Sequence, residues 1–212
     1  MRHPRTLRGL AAGLTAAAVT ASALVAAPAA AAPRGDTSLA EVLAADGNKL
    51  DRNWDDFDLV EKAVYAVLEA KPDSPVAVLA DGDTALTAFV PTDRAFRKLV
   101  RDLTGDTKAR ERGVLRALTS FADADTLETV LLYHVVPGAT ITYRQALGAD
   151  EAKLTTALGA KVRVNVVHRN VRLKDRDRDD LNPQVIRMLK NVNQGNKQIA
   201  HGINRVLRPI DL

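Results

Sequence analysis

The spacing of apolar residues changes character part-way along the chain. Between Leu39 and Val135 they recur every three or four positions, the period of a helix with one buried face; from Val162 onward they alternate with polar residues, the period of a strand. Leu39, Val42 and Leu43 predict a short helix ending at Gly47. Asp58 to Ala70 reads as an amphipathic helix with Val60, Ala63, Val64, Val67 and Leu68 on one face, stopped by Lys71-Pro72. Val114, Leu115 and Leu118 suggest another helix in the polar stretch after Leu103. Asp125 and Glu128 resemble a capping box. The helix they open puts Leu127, Val130, Leu131, His134 and Val135 on one stripe and ends at Pro137-Gly138. Later, Val162, Val164 and Val166 pair in pattern with Val171 and Leu173 as a hairpin around His168-Arg169-Asn170. Val185 to Val192 and Ile199 to Leu207 read as the last two strands.

One stretch breaks this order. Thr84 to Val90 is apolar or Thr at every position, so a strand there is covered on both faces. Pro91 lacks an N–H and ends the ladder. Thr92 suits a helix N-cap, and Asp93 places a negative charge in the first turn. Phe96, Leu99, Val100 and Leu103 then keep helical spacing until Gly105. Helices first and strands last, with one strand embedded early, predict an α+β fold with a mostly antiparallel sheet.

Composition narrows the setting. Residues 1–32 carry Arg2, Arg5 and Arg8, then an apolar run from Gly9 to Val25, then small residues around Pro28. This is the pattern of a secretory signal peptide, and no second hydrophobic anchor is expected at the C-terminus. The whole chain has 30 Lys and Arg against 26 Asp and Glu; without the three leader arginines the balance is 27 to 26. A nucleic-acid partner therefore loses its electrostatic support. There is no cysteine and no Asn-x-Ser/Thr sequon, so stability is expected from packing and hydrogen bonding alone. The expected organisation is a leader over 1–32, a flexible segment over 33–38 and one domain over 39–212.

Motifs of chemistry are sparse. The three serines after the leader, Ser38, Ser74 and Ser120, lie in no nucleophile elbow, and phosphate-loop, dinucleotide and zinc-protease motifs are absent. Neither a cofactor nor catalysis is expected. Asp175, Asp177 and Asp179 have the odd spacing of a calcium loop, but Asp180 and Ile186 stand where Gly and Glu are needed. The spacing reads as a solvated hairpin loop. Arg34-Gly35-Asp36 is an integrin-type tripeptide that chance in a disordered tail also explains.

Three separated stretches together resemble the fasciclin (FAS1) domain. They are Ala88-Phe89-Val90-Pro91-Thr92-Asp93-Arg94-Ala95-Phe96, Leu132-Tyr133-His134-Val135-Val136-Pro137-Gly138, and Ile199-Ala200-His201-Gly202-Ile203-Asn204-Arg205-Val206-Leu207-Arg208-Pro209. They occur in the family's order. The resemblance implies a β-sandwich or wedge of mostly antiparallel strands with a layer of N-terminal and central helices. It also implies adhesion or recognition at a cell surface or matrix, without catalysis, and a central polar network including Asp93 and His134. Thr92, Asp93, Tyr133, His134 and His201 are thus the candidate recognition or motif-core residues. Asp93 is either a cap or a partner contact. His134 is a ligand, a pH sensor or a buried, hydrogen-bonded core residue with a carboxylate partner; His201 also points inward. Exposed residues near the Tyr-His segment would form the binding surface. Ala200, Gly202 and Asn204 depart from the family pattern, where two bulkier apolar residues and an Asp are usual. The partner is an unnamed cell-surface or matrix protein or glycan. The alternative is an extracytoplasmic carrier or sensor for a small hydrophobic ligand.

Overall fold

The computed structural model describes residues 35–47 and 49–210. The predicted leader and Arg34 of the tripeptide lie outside them. From Gly35 onward the chain is paired rather than free: Gly35 donates to the Gly195 carbonyl (3.2 Å) and Lys197 donates to the Gly35 carbonyl (2.9 Å). The segment expected as a flexible start is thus hydrogen-bonded to the loop before β6 at Gly35.

The early apolar run forms β1 (Leu86–Pro91), and all six of its residues are buried. It pairs antiparallel with β2 (Val135–Pro137) and parallel with β6 (Gln198–Ile203), the latter with Phe89 opposite His201. A second sheet runs β3 (Lys153–Thr155), β4 (Lys161–Val167), β5 (Asn170–Lys174), antiparallel throughout. Helices α1 (Leu39–Leu43), α2 (Asp58–Ala70), α3 (Asp93–Thr104), α4 (Glu111–Phe121) and α5 (Ala124–Tyr133) supply the other main layer, and a short α6 (Tyr143–Leu147) precedes β3.

The period of two explains how these layers meet. Leu86, Ala88 and Val90 of β1 enter the core shared with α1–α5. Phe89, on the opposite face, joins Tyr133, Tyr143, Val162, Val164, Val171, Leu173 and Leu207 in the core under β3–β4–β5. The sheet β2–β1–β6 is thus packed on both faces, which is why its central strand shows no polar alternation. Each large side chain buried there contributes about 1.5–3 kcal/mol.

Three expectations are corrected. The helix carrying the Tyr-His segment ends at Tyr133, and Val135–Pro137 leaves it to pair with β1. Its N-cap is Asp123, whose side chain accepts from Thr126 N–H (2.9 Å); Glu128 instead bonds Lys71 and Ser74. Val185 to Val192 is not a strand. It touches β6 through two isolated bridges, Val185 with Ile203 and Val192 with Ala200, and makes a 3-10 turn over Arg187–Leu189 between them. That turn lays Leu189 against Gly202, where a Cβ would sit 2.6 Å from the Leu189 Cβ. The missing side chain at 202 is what admits the turn.

Candidate functional site

The junction of β1 and α3 is built as predicted in position but not in chemistry. Thr92 is the N-cap, with extended backbone (φ −70°, ψ 165°), yet its hydroxyl makes no cap bond and is buried without a partner. Asp93 serves a different helix. Its Oδ1 accepts from the N–H of Leu59 (2.9 Å) in the first turn of α2, while its own N–H donates to the Asp56 carbonyl (3.1 Å). Burial pushes its carboxyl up to about 9; the Leu59 bond opposes this, and Asp56, Glu111 and Asp58 add to it. The expected negative charge in the first turn of α3 is therefore corrected: Asp93 is neutral at pH 7 unless a cation offsets the group.

Three carboxylates converge here. Asp56, Asp93 and Glu111 each place an oxygen within 4.8 Å of the others, and Asp51, Asp56 and Asp58 form an adjoining set. Glu111, at the start of α4, accepts the Asp51 N–H on Oε2 (2.5 Å), and burial pushes its carboxyl up to about 7. Sequence reasoning missed this cluster because its members come from a loop and two helix starts, separated by up to 55 positions between Asp56 and Glu111. The only signal was the presence of acids at the first positions of α3 and α4.

The remaining motif residues lie inside. His134 caps α5; its Nδ1–H donates to the Val130 carbonyl (2.7 Å) and its Nε2 accepts from Leu207 N–H (2.9 Å). Burial lowers its pKa to about 4, against the pull of the Val130 carbonyl. His201 accepts from Asn191 N–H on Nδ1 (3.2 Å) and donates from Nε2 to the Ile141 carbonyl (2.8 Å). Both histidines are thus held by backbone groups, which corrects the expected carboxylate partner. Tyr133 is fully buried with its hydroxyl on the Lys161 carbonyl (3.4 Å), and burial pushes it up to about 12. Among the described residues Asp93 and His134 share no hydrogen-bond partner, so the polar network implied for them is seen there as two separate sets of bonds. Asn204 accepts the Gln184 N–H on its side-chain oxygen (2.9 Å), a role the amide fills without a charge.

The Asp175 to Asp180 run is only partly solvated: Arg176, Arg178 and Asp179 are exposed, while Asp177 is buried. Asp177 is buried against Arg208 (2.7 Å), Asp175 accepts the Arg208 N–H (2.8 Å), and Arg205 joins Asp180 (2.9 Å) and Asp102 (3.0 Å). Of the acids that the calcium spacing suggested, Asp177 is neutralised by the Arg208 guanidinium and Asp175 is held by the Arg208 backbone N–H.

Two surfaces remain open. On the outer face of the second sheet, the register sets Lys153, Arg163 and Lys174 in one row across three strands. Lys161 and Arg172 flank that row, while Glu151 pairs with Arg163 (2.8 Å). Elsewhere, Leu59, Ala66, Phe96, Leu115, Phe121 and Leu127 help line an apolar cleft of about 360 Å³ between α2, α3, α4 and α5.

The family model of the fasciclin domain matches residues 63–209. The chain belongs to the fasciclin family. Among solved structures, a FAS1 domain pair from the insect cell adhesion molecule fasciclin I aligns with a TM-score of 0.49 and 17% identity, covering 74% of this chain and 48% of that one. The chain therefore spans about half the length of that structure. No curated protein matches it. The fasciclin match takes in β1, the Tyr-His segment and β6, but Asp51, Asp56 and Asp58 precede it. Among the described residues no helix is long and apolar enough to cross a membrane.

Proposed function

We propose that this fasciclin protein is an exported, non-catalytic recognition module that adheres to anionic polymers at a cell surface or matrix. The supporting observation is the cationic row Lys153–Arg163–Lys174 on the outer face of β3–β4–β5, flanked by Lys161 and Arg172. Fasciclin domains are associated with adhesion, and the five motif residues are too deeply buried to meet a macromolecule. Recognition then falls to an exposed surface, and the sheet that carries the basic row is joined to the Tyr-His segment. The β3–β4 turn bonds that segment directly, through Ala157 N–H to the Val135 carbonyl (2.7 Å). A row of cations suits carboxylated, sulfated or phosphorylated polymers, and their attraction weakens with salt. Against catalysis, both ring nitrogens of His134 and of His201 are engaged by backbone groups, which leaves neither as a general base.

The test compares retention of the protein on heparin-coated and on neutral dextran-coated surfaces at physiological salt. Adhesion of the proposed kind retains it on heparin only, and Arg172→Glu with Lys174→Glu abolishes that retention. Equal retention on both coatings would sink the reading.

The apolar cleft favours a second reading, a carrier or sensor for a small hydrophobic ligand. Its size lies within the range of small-molecule sites, and its lining is almost wholly aliphatic and aromatic. A molecule that co-purifies with the protein and is extracted only by organic solvent would favour this reading over adhesion.

A further inference from the structure

The loop before α2 and the first turns of α3 and α4 meet at Asp56, Asp93 and Glu111. Asp93 and Glu111 are both 0% exposed. Each spends one carboxylate oxygen on a backbone N–H, Asp93 on Leu59 and Glu111 on Asp51. The second oxygen of each, Oδ2 of Asp93 and Oε1 of Glu111, is buried with no hydrogen-bond partner. A buried, unsatisfied carboxylate oxygen is costly. Two such oxygens in a cluster whose members stand within 4.8 Å of one another are satisfied either by protons or by a shared positive counterpart. Two basic residues of the same helical turn make contacts with groups outside the three carboxylates. Arg94 pairs with Asp55 (3.0 Å), and the Arg97 guanidinium lies 4.6 Å from the centroid of the Trp54 ring.

We propose that Asp56, Asp93 and Glu111 form a site for a hard divalent cation of the calcium class, which clamps the loop before α2 onto the first turns of α3 and α4. The donor set is oxygen only, with no His or Cys, which selects calcium or magnesium over zinc or copper. Asp51 and Asp58, in the adjoining acidic set, add negative charge around the site. Calcium tolerates the irregular geometry of ligands drawn from three segments better than magnesium does. The clamp acts where the loop is already held by two backbone bonds, Asp93 N–H to the Asp56 carbonyl and Arg94 N–H to the Trp54 carbonyl (2.9 Å). Binding stabilises the native chain because the unfolded chain does not assemble the site. Its success or failure does not depend on the adhesion reading.

Trp54, the chain's single tryptophan, lies two residues from Asp56 and gives the site its own reporter. The experiment titrates the purified protein, stripped with a chelator, with Tb³⁺ and excites tryptophan. The expected result is sensitised emission that saturates at one ion per chain and is displaced by Ca²⁺ but not by K⁺. In parallel, Ca²⁺ at about a hundredfold excess over Kd raises Tm by about 5–10 °C. Asp93→Asn and Glu111→Gln keep the acceptor for the Leu59 and Asp51 N–H groups, so both are expected to fold, which circular dichroism checks. Each is expected to lose the emission and the Ca²⁺ shift. The proposal is overturned if the wild-type protein shows neither signal, which would mark a cluster that shares protons only. It is equally overturned if the emission survives in both folded variants, which would put the ion on exposed acids such as Asp51. If either variant fails to fold, calorimetry of Ca²⁺ binding to the wild-type protein decides.

Discussion

The imidazole of His134 accepts the backbone N–H of Leu207 at 2.9 Å, while its other nitrogen donates to the Val130 carbonyl at 2.7 Å. One side chain thus closes the end of α5 and anchors the segment after β6, 73 positions away. Val136 and Leu207 belong to the same core, so the hydrogen bond and the packing fix the same junction. Removing the ring strands a buried donor and a buried acceptor and leaves a cavity. His134→Ala is expected to lower stability by about 2–4 kcal/mol, measured by urea unfolding. A loss below about 0.5 kcal/mol would show that the junction does not depend on the ring.

The same burial sets a pH dependence. His134 titrates near 4 in the folded chain against 6.5 when unfolded. Between those values the unfolded chain takes up a proton that the folded chain refuses. The contribution is therefore complete above pH 6.5 and is lost as the pH falls towards 4, amounting to about 3 kcal/mol. Other groups titrate too, so the measurable quantity is a difference between two proteins. The stability gap between wild type and His134→Gln is expected to narrow as the pH falls from 7 to 4.5. A gap independent of pH would mean that the ring titrates in the folded chain as it does unfolded, open to water.

Gly202 is fixed by a neighbour rather than by its own backbone. A Cβ there meets the Leu189 Cβ at 2.6 Å and Phe57 at 3.3 Å. Gly202→Ala is expected to cost about 1–3 kcal/mol, as overpacking does in a filled core. Crystallography of the variant would show the Arg187–Leu189 turn displaced from β6. An unchanged turn with unchanged stability would refute the contact as the reason for glycine.

The Arg208–Asp177 pair predicts an asymmetry. Asp177 has 1% of its side chain exposed and Arg208 8%, but Arg208 also reaches Asp180 (3.3 Å) and Asp102 (3.4 Å). Arg208→Met leaves Asp177 as a buried, unpaired charge and is expected to cost about 3–5 kcal/mol. Asp177→Asn leaves Arg208 with two carboxylates and is expected to cost less than half as much. Thermal unfolding of both variants and of the double mutant gives the coupling.

How much of this was legible follows from what each residue depends on. Helix α2 is found where its apolar face places it, from Asp58 to Ala70, and α3 ends at Gly105 in left-handed conformation (φ 71°). These features are written in residues a few positions apart. The β4–β5 hairpin is legible for the same reason. The parallel pairing of β1 with β6 is not, because no local pattern specifies a partner more than a hundred positions away. Val185 to Val192 misled because its apolar residues pack on β6 without a continuous ladder. The motif residues were identifiable, but their partners were not: a backbone N–H looks the same at every position, so nothing marked Leu59 for Asp93 or Leu207 for His134. The acidic cluster and the arginine pairs were hidden likewise, since each joins charges far apart in sequence, such as Asp56 with Glu111 and Asp102 with Arg208.

The apolar cleft offers the last prediction. Ala66 lies on its wall, exposed, and Phe121 at its edge is 59% exposed. An environment-sensitive apolar dye such as ANS should bind the native protein there, with blue-shifted emission, because the cleft removes it from water. Ala66→Trp adds a bulky ring to the wall without touching the core, so stability is expected to change by less than about 0.5 kcal/mol. Dye affinity is expected to fall at least tenfold, about 1.4 kcal/mol. Retention of dye affinity in a stable Ala66→Trp protein would place the dye elsewhere and remove the support for the carrier reading. Lost affinity alongside unchanged retention on heparin would show that the cleft and the basic sheet act independently.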